Sequence, residues 1–179
     1  MLLRARIRIS EPQSPHDGFT LIELLVVVVI VAVIAAALTL SIAGAGGERQ
    51  LAHQAEQTQA LISYACEQAE LTGRTIGLSF NTDGYRFSQL ENTDWMPMRA
   101  AELRERSWLG GASSKLTRDD HAVQIASAYP DKPQLVCFSS GELTAFRLEL
   151  ALADLPVIYR LDGQSDGDVK ITKVNTRAR

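Results

Sequence analysis

The chain has 179 residues, 46% of them apolar and only 6% aromatic, and 18 Lys and Arg against 21 Asp and Glu leave a net charge of −3. That length holds one modest globular domain beside any terminal segment, and the mild acidity gives no basic footprint for nucleic acid. The 2 cysteines, Cys66 and Cys137, permit one disulfide and argue against a structural zinc site, which takes four ligands.

Residues 1–18 read as a processed leader. Arg4, Arg6 and Arg8 open it and Glu11-Pro12-Gln13-Ser14-Pro15 follows; the prolines break helix and keep the segment extended and accessible. An apolar run then extends to about Ile42, and between Leu24 and Leu38 no side chain carries a charge or a hydrogen-bonding group. As a helix at about 1.5 Å per residue, Phe19 to Ile42 would measure roughly 35 Å, enough to cross a bilayer core. Glu23 stands inside the leading edge of this run. A charge there costs on the order of a few kcal/mol near a span's centre and less toward its end, so its retention predicts a function. The arginines precede the span, which places the C-terminal bulk outside the cytoplasm and carries both cysteines into an oxidising compartment.

Gly18-Phe19-Thr20-Leu21-Ile22-Glu23, a polar leader before it and a long apolar helix after it, resembles the type IV prepilin-like signature. The resemblance implies cleavage between Gly18 and Phe19 by a dedicated prepilin peptidase, N-methylation of the new Phe19 amine, and a role for Glu23 in subunit assembly. Two other readings of the stretch stay open. A conventional secretory signal would be cut after Ala43-Gly44-Ala45, but the apolar run exceeds the usual ~7–15 residues and Glu23 interrupts its start. A plain signal anchor explains the length and leaves Gly18, Phe19 and Glu23 as coincidences.

After the span, Ala43-Gly44-Ala45-Gly46-Gly47 predicts a joint that kinks or melts locally, because each glycine costs a helix about 1 kcal/mol relative to alanine. From Glu48 to Leu71 helical periodicity returns, with Leu51, Ala55, Thr58, Ile62, Ala65, Cys66 and Ala69 on one stripe. Thr72-Gly73 ends the helix. The pattern then switches to period two. Ile76, Leu78 and Phe80 point inward, Asn81 to Gly84 turn, and Tyr85 to Leu90 return. Asp94 to Gly111 reads as irregular, anchored by Trp95, Met96, Met98 and Trp108. Short strands are expected at Ala122–Ala128 and Gln134–Phe138, a further strand carries Phe146, Leu148 and Leu150 inward, and Pro156–Leu161 and Val169–Val174 form a closing hairpin. The class is α+β: a long N-terminal helix packed on a C-terminal antiparallel β-sheet or sandwich. The expected divisions are 1–18 leader, 19–43 transmembrane and assembly helix, 44–72 amphipathic continuation, and 73–179 periplasmic β domain.

Gly73-Arg74-Thr75-Ile76-Gly77-Leu78, Asp83-Gly84-Tyr85-Arg86-Phe87 and Leu135 to Phe146 are similar to the H-type minor pseudopilins of type II secretion. That resemblance covers most of the mature chain. It implies a pilin-like fold and a non-enzymatic subunit of the secretion pseudopilus, in the tip complex that primes assembly and helps push folded proteins across the outer membrane. The implied partners are other minor pseudopilins, the major pseudopilin, the prepilin peptidase and inner-membrane lipid, with secreted cargo and the outer-membrane secretin as further contacts. The implied location is the bacterial inner membrane, single-pass, with the C-terminal domain in the periplasm. Leu40 stands where many major pilins carry a helix-kinking proline, which disfavours a major-subunit role. A minor pilin of a type IV pilus is the alternative, and a membrane-anchored sensor or enzyme domain a third class.

No residue set points to catalysis or to a cofactor. His16, His53 and His121 fall in the leader, on the helix and before a strand, and Ser139-Ser140-Gly141 lacks the glycine of a nucleophile elbow. Asp162, Asp166 and Asp168 are weak calcium candidates, since major pseudopilins carry a calcium loop near their C-terminus. The spacing lacks the distal Glu of an EF-hand, and an acidic hairpin turn explains it equally well. Cys66 and Cys137 sit among apolar neighbours and either join or simply fill space as buried thiols.

Overall fold

A computed structural model describes residues 20–99 and 102–176, those of 36–45 by backbone alone. The chain divides into two units, Met1–Leu40 and Ser41–Arg179. Helix α1 runs from Leu21 to Thr72, so the backbone does not melt at Ala43–Gly47. In the first unit, every large apolar side chain from Leu21 to Ile34 is exposed, from 48% at Val26 to 83% at Leu21. Among the described residues no helix is long and apolar enough to cross a membrane; of the segment expected to do so, side chains are described only from Thr20 to Ala35.

In the second unit α1 buries one stripe: Leu51, Ala55, Thr58, Ile62, Ala65, Cys66 and Ala69 are each at most 6% exposed. These are the residues the period of 3.6 selects. The helix ends in a Schellman motif. Gly73 takes φ 67, its N–H donates to the Glu70 carbonyl at 3.3 Å, and the Arg74 N–H donates to the Ala69 carbonyl at 3.1 Å.

Ten strands follow: β1 Ile76–Asn81, β2 Gly84–Glu91, β3 Asp94–Pro97, β4 Arg106–Ser107, β5 Ala112–Arg118, β6 His121–Val123, β7 Leu135–Cys137, β8 Phe146–Leu152, β9 Val157–Gly163 and β10 Val169–Asn175. They pair antiparallel into two sheets, β3-β2-β1-β7 with β4 also on β2, and β10-β9-β8-β5-β6. The 94–111 stretch is therefore not wholly irregular: β2 recruits β3 and β4 from it through ladders that local sequence does not announce. Met96 is exposed at 49%, so it anchors nothing, whereas Trp108 is buried. The strand expected at Ala122–Ala128 shrinks to β6. Its remainder turns back on β1 and β2, where the Thr82 N–H donates to the Ala126 carbonyl at 3.0 Å and Asn81 Nδ2 donates to the Ser127 carbonyl at 3.3 Å. Just before β7, the side-chain amide of Gln134 brackets Phe80, accepting from its N–H at 2.8 Å and donating to its carbonyl at 3.1 Å.

One apolar cluster joins the α1 stripe to the inner faces of both sheets, including Leu78, Phe80 and Phe87 from the first and Leu116, Leu148, Leu150 and Leu161 from the second. Tyr85 lies at its centre, its ring centroid 4.9 Å from Trp108 and 6.2 Å from Phe80, its hydroxyl 3.3 Å from Thr58 Oγ1. Burial raises the phenol above its ordinary 10.0, with the Thr58 hydroxyl and then the Arg106 guanidinium pulling it back. The folded chain thus holds this proton more tightly than the unfolded chain does. Its contribution is intact below pH about 10 and is lost as pH climbs through the folded value. Tyr129, raised by burial and by Glu105, acts in the same sense. Thermal melts of the detergent-solubilised chain should be level near neutrality and fall above pH about 10, and Tyr85→Phe should make that fall shallower. An unaltered alkaline slope in the variant would remove Tyr85 as a cause.

Candidate functional site

The first turn of α1 is fixed by Thr20. Its carbonyl accepts from the N–H groups of Glu23 at 3.1 Å and Leu24 at 3.2 Å, and its Oγ1 accepts a further bond from the Glu23 N–H at 3.3 Å. This is the Ser/Thr-x-x-Glu spacing of a helix N-terminus, in which a hydroxyl satisfies an orphan backbone donor. Thr20 thus has a role beyond those expected of Gly18, Phe19 and Glu23, and its spacing from Glu23 is the signal that marks it in the sequence. Glu23 stands in this first turn, where the positive end of the helix dipole favours a carboxylate by typically ~0.3–1 kcal/mol. Gly18 and Phe19, the expected cleavage and methylation residues, lie outside the described residues.

The chemistry this arrangement offers is recognition. A carboxylate stands in the first turn of a helix whose following turns are apolar on all sides, a composition suited to a non-aqueous surrounding or to other helices.

Cys66, on the buried stripe of α1, is bonded to Cys137 at the end of β7, with the Cα atoms 4.9 Å apart at a sequence separation of 71. Both residues are at most 6% exposed. Cys137 is held in place by pairing with Ile76 of β1 and by an isolated bridge to Leu143.

The three aspartates near the C-terminus do not converge on a common centre. Asp162 Oδ1 accepts from Arg147 Nε at 2.7 Å, raising the guanidinium's pKa by that bond and its charge. Asp166 Oδ1 accepts from the backbone N–H of Asp168 at 3.0 Å, and the Asp168 carboxylate pairs with Lys170 at 3.2 Å. Each carboxylate is committed to a different partner. Among the described residues no group of three or more His, Cys, Asp and Glu is placed to hold a metal. His53 lies on α1 and His121 in β6, where its Nδ1 is 2.6 Å from the Asp119 carbonyl; His16 is outside the described residues.

Residues 14–39 match the family model described as the prokaryotic N-terminal methylation motif. The chain is 31% identical over 160 residues to the type II secretion system protein H of Aeromonas hydrophila, covering 79% of this chain and 84% of that protein. It is 34% identical over 144 residues to the protein of the same name in Pseudomonas aeruginosa, covering 75% and 82%. In three dimensions it resembles the minor pseudopilin EpsH of the Vibrio cholerae type II secretion system, with a TM-score of 0.59 at 18% identity over 69% of this chain and 96% of that one. The solution structure of Escherichia coli GspH gives a TM-score of 0.56 at 20% identity over 73% and 92%. The helix on antiparallel sheets described above is thus a pilin-like α+β fold.

Proposed function

Because the chain belongs to the family of type II secretion system protein H, we propose that it works as a minor pseudopilin at the tip of the pseudopilus, without catalysis of its own. In this reading the leader is removed after Gly18, Phe19 becomes the methylated N-terminus, and the apolar helix holds the subunit in the inner membrane with the β domain in the periplasm. The single observation that carries it is Glu23, in the first turn of a helix whose next turns, Leu24 to Ile34, expose only apolar side chains. Cleavage would leave a cationic amine at Phe19 in or near the apolar phase, where an unpaired charge is costly. Glu23 neutralises such an amine. When the amine belongs to a neighbouring subunit, the pair sets how far the incoming helix slides before it stops. The other minor pseudopilins and the major pseudopilin are the partners of this contact, and cargo and the secretin are contacts of the distal domain.

The test is Glu23→Ala in cells, scored for leader removal, secretion and co-purification with the other subunits. Processing should continue while co-purification and secretion fall by about fivefold, the equivalent of roughly 1 kcal/mol. A variant that secretes and co-purifies like the wild type removes the register-setting role.

A further inference from the structure

In the Ser41–Arg179 unit, a groove of about 490 Å³ runs between α1 and the segment 107–109. Arg49, Gln50, His53 and Gln57 line its helix side, and Ser107 to Leu109 form the opposite wall. The wall is set before anything binds. Gln54 clamps it to the helix, its Nε2 donating to the Ser107 carbonyl at 3.2 Å and its Oε1 accepting from the Leu109 N–H at 3.0 Å. Below it the Trp108 indole N–H donates to the Asn81 carbonyl at 3.3 Å.

The lining is rich in donors and holds no carboxylate. Arg49 and His53 lie one turn apart on the same side of the helix, both are exposed, and none of the ion pairs among the described residues involves either. The nearby acid Glu48 is taken by Lys173. Arg49 is the one formally charged side chain of the lining, and its sign is opposite to the net charge of −3 of the whole chain.

We infer that this groove receives an acidic segment from a different pilin-like subunit. One or two of its carboxylates lie against Arg49 and His53, its main-chain carbonyls accept from the side-chain amides of Gln50 and Gln57, and a neighbouring apolar side chain rests on Leu109. The inference rests on the assembly role proposed above and adds to it a second contact, in the β-bearing unit. A membrane surface is the weaker match: lipid recognition by charge uses clusters of about 4–8 basic residues, whereas one guanidinium and one imidazole between directional amide donors suit a peptide. Opposed charges across such a contact mainly exclude wrong partners and fix register.

The experiment uses the full chain in its own membrane. A photoreactive residue in place of Gln57 should crosslink to an Asp- or Glu-bearing segment of another pilin-like subunit, located by mass spectrometry. R49E/H53E should lower co-purification of that subunit about tenfold or more, with leader removal and melting temperature unchanged. The milder R49Q/H53Q should give a smaller loss in the same direction. Lysine at the crosslinked acid of the partner should restore binding to R49E/H53E. The inference falls if either variant co-purifies like the wild type, or if the crosslinks run to lipid or to a second copy of this chain. If the wild-type chain co-purifies with no pilin-like subunit, the assembly role itself fails and this contact with it.

Discussion

Replacing Cys66 and Cys137 together by alanine is expected to destabilise the Ser41–Arg179 unit by about 4 kcal/mol, and to lower its melting temperature by roughly 10 °C. The bond closes a loop of 71 residues that contains β1 through β6, so opening it returns a large conformational freedom to the unfolded chain. The folded state loses less, because the Cys66 side of α1 still packs through Ile62, Ala65 and Ala69. Thermal melts with and without reductant measure this: the wild type should drop on reduction to the level of the double variant, which should not respond. Two alkylatable thiols in chain unfolded without reductant would show that the bond is not made in the cell.

Gly84→Ala should cost about 3 kcal/mol or more, which is the range reserved for a severe steric change. A Cβ at Gly84 would lie 2.0 Å from the Arg106 carbonyl oxygen and 2.9 Å from Ser107 Cα. These are backbone atoms, so no rotamer change relieves the overlap. The pairings Gly84↔Ser107 and Tyr85↔Arg106 must open, and the 2.8 Å bond from the Trp108 N–H to the Asp83 carbonyl goes with them. Gly77 is a milder case, since a Cβ there meets mainly the Pro133 and Trp95 side chains. Denaturant unfolding followed by tryptophan fluorescence should show Gly84→Ala with a much lower midpoint and a more solvated Trp108. A midpoint within experimental scatter of the wild type would mean that β4 is not held as described.

The amphipathic half of α1 was legible in its sequence because burial there follows one rule. Leu51 to Ala69 recur at the helical period, and all seven of the expected stripe residues are buried. The strands around Phe80, Phe87, Leu148 and Leu161 were legible because their large apolar residues alternate in sequence, although β1 is buried on both faces. Strand β5 was not, although it lies inside the second sheet between β8 and β6. Its sequence Ala-Ser-Ser-Lys-Leu-Thr-Arg contains one fully buried side chain, Leu116. The strand forms because β8 offers a seven-residue ladder to pair with, a tertiary cause that local β-propensity does not record. At the site, Glu23 announced itself as a charge out of place, and the two cysteines admit only one pairing within a single chain. The groove beside Arg49 and His53 was illegible, because its far wall comes from residues more than fifty positions away and is positioned by Gln54, a side chain with no marked pattern of its own.

The amide bracket on Phe80 has a consequence for how β1 meets the strands of other chains. β1 is six residues long, uncharged and buried throughout, while β7 covers only its first half, from Ile76 to Leu78. A bare main-chain N–H and C=O pair on such a strand is a template onto which a stranger's strand can add, and addition of that kind seeds aggregation. Gln134 occupies both groups at Phe80 with one side chain. It thereby closes the remainder of the edge to intermolecular β-pairing without the length of chain that a further strand would need.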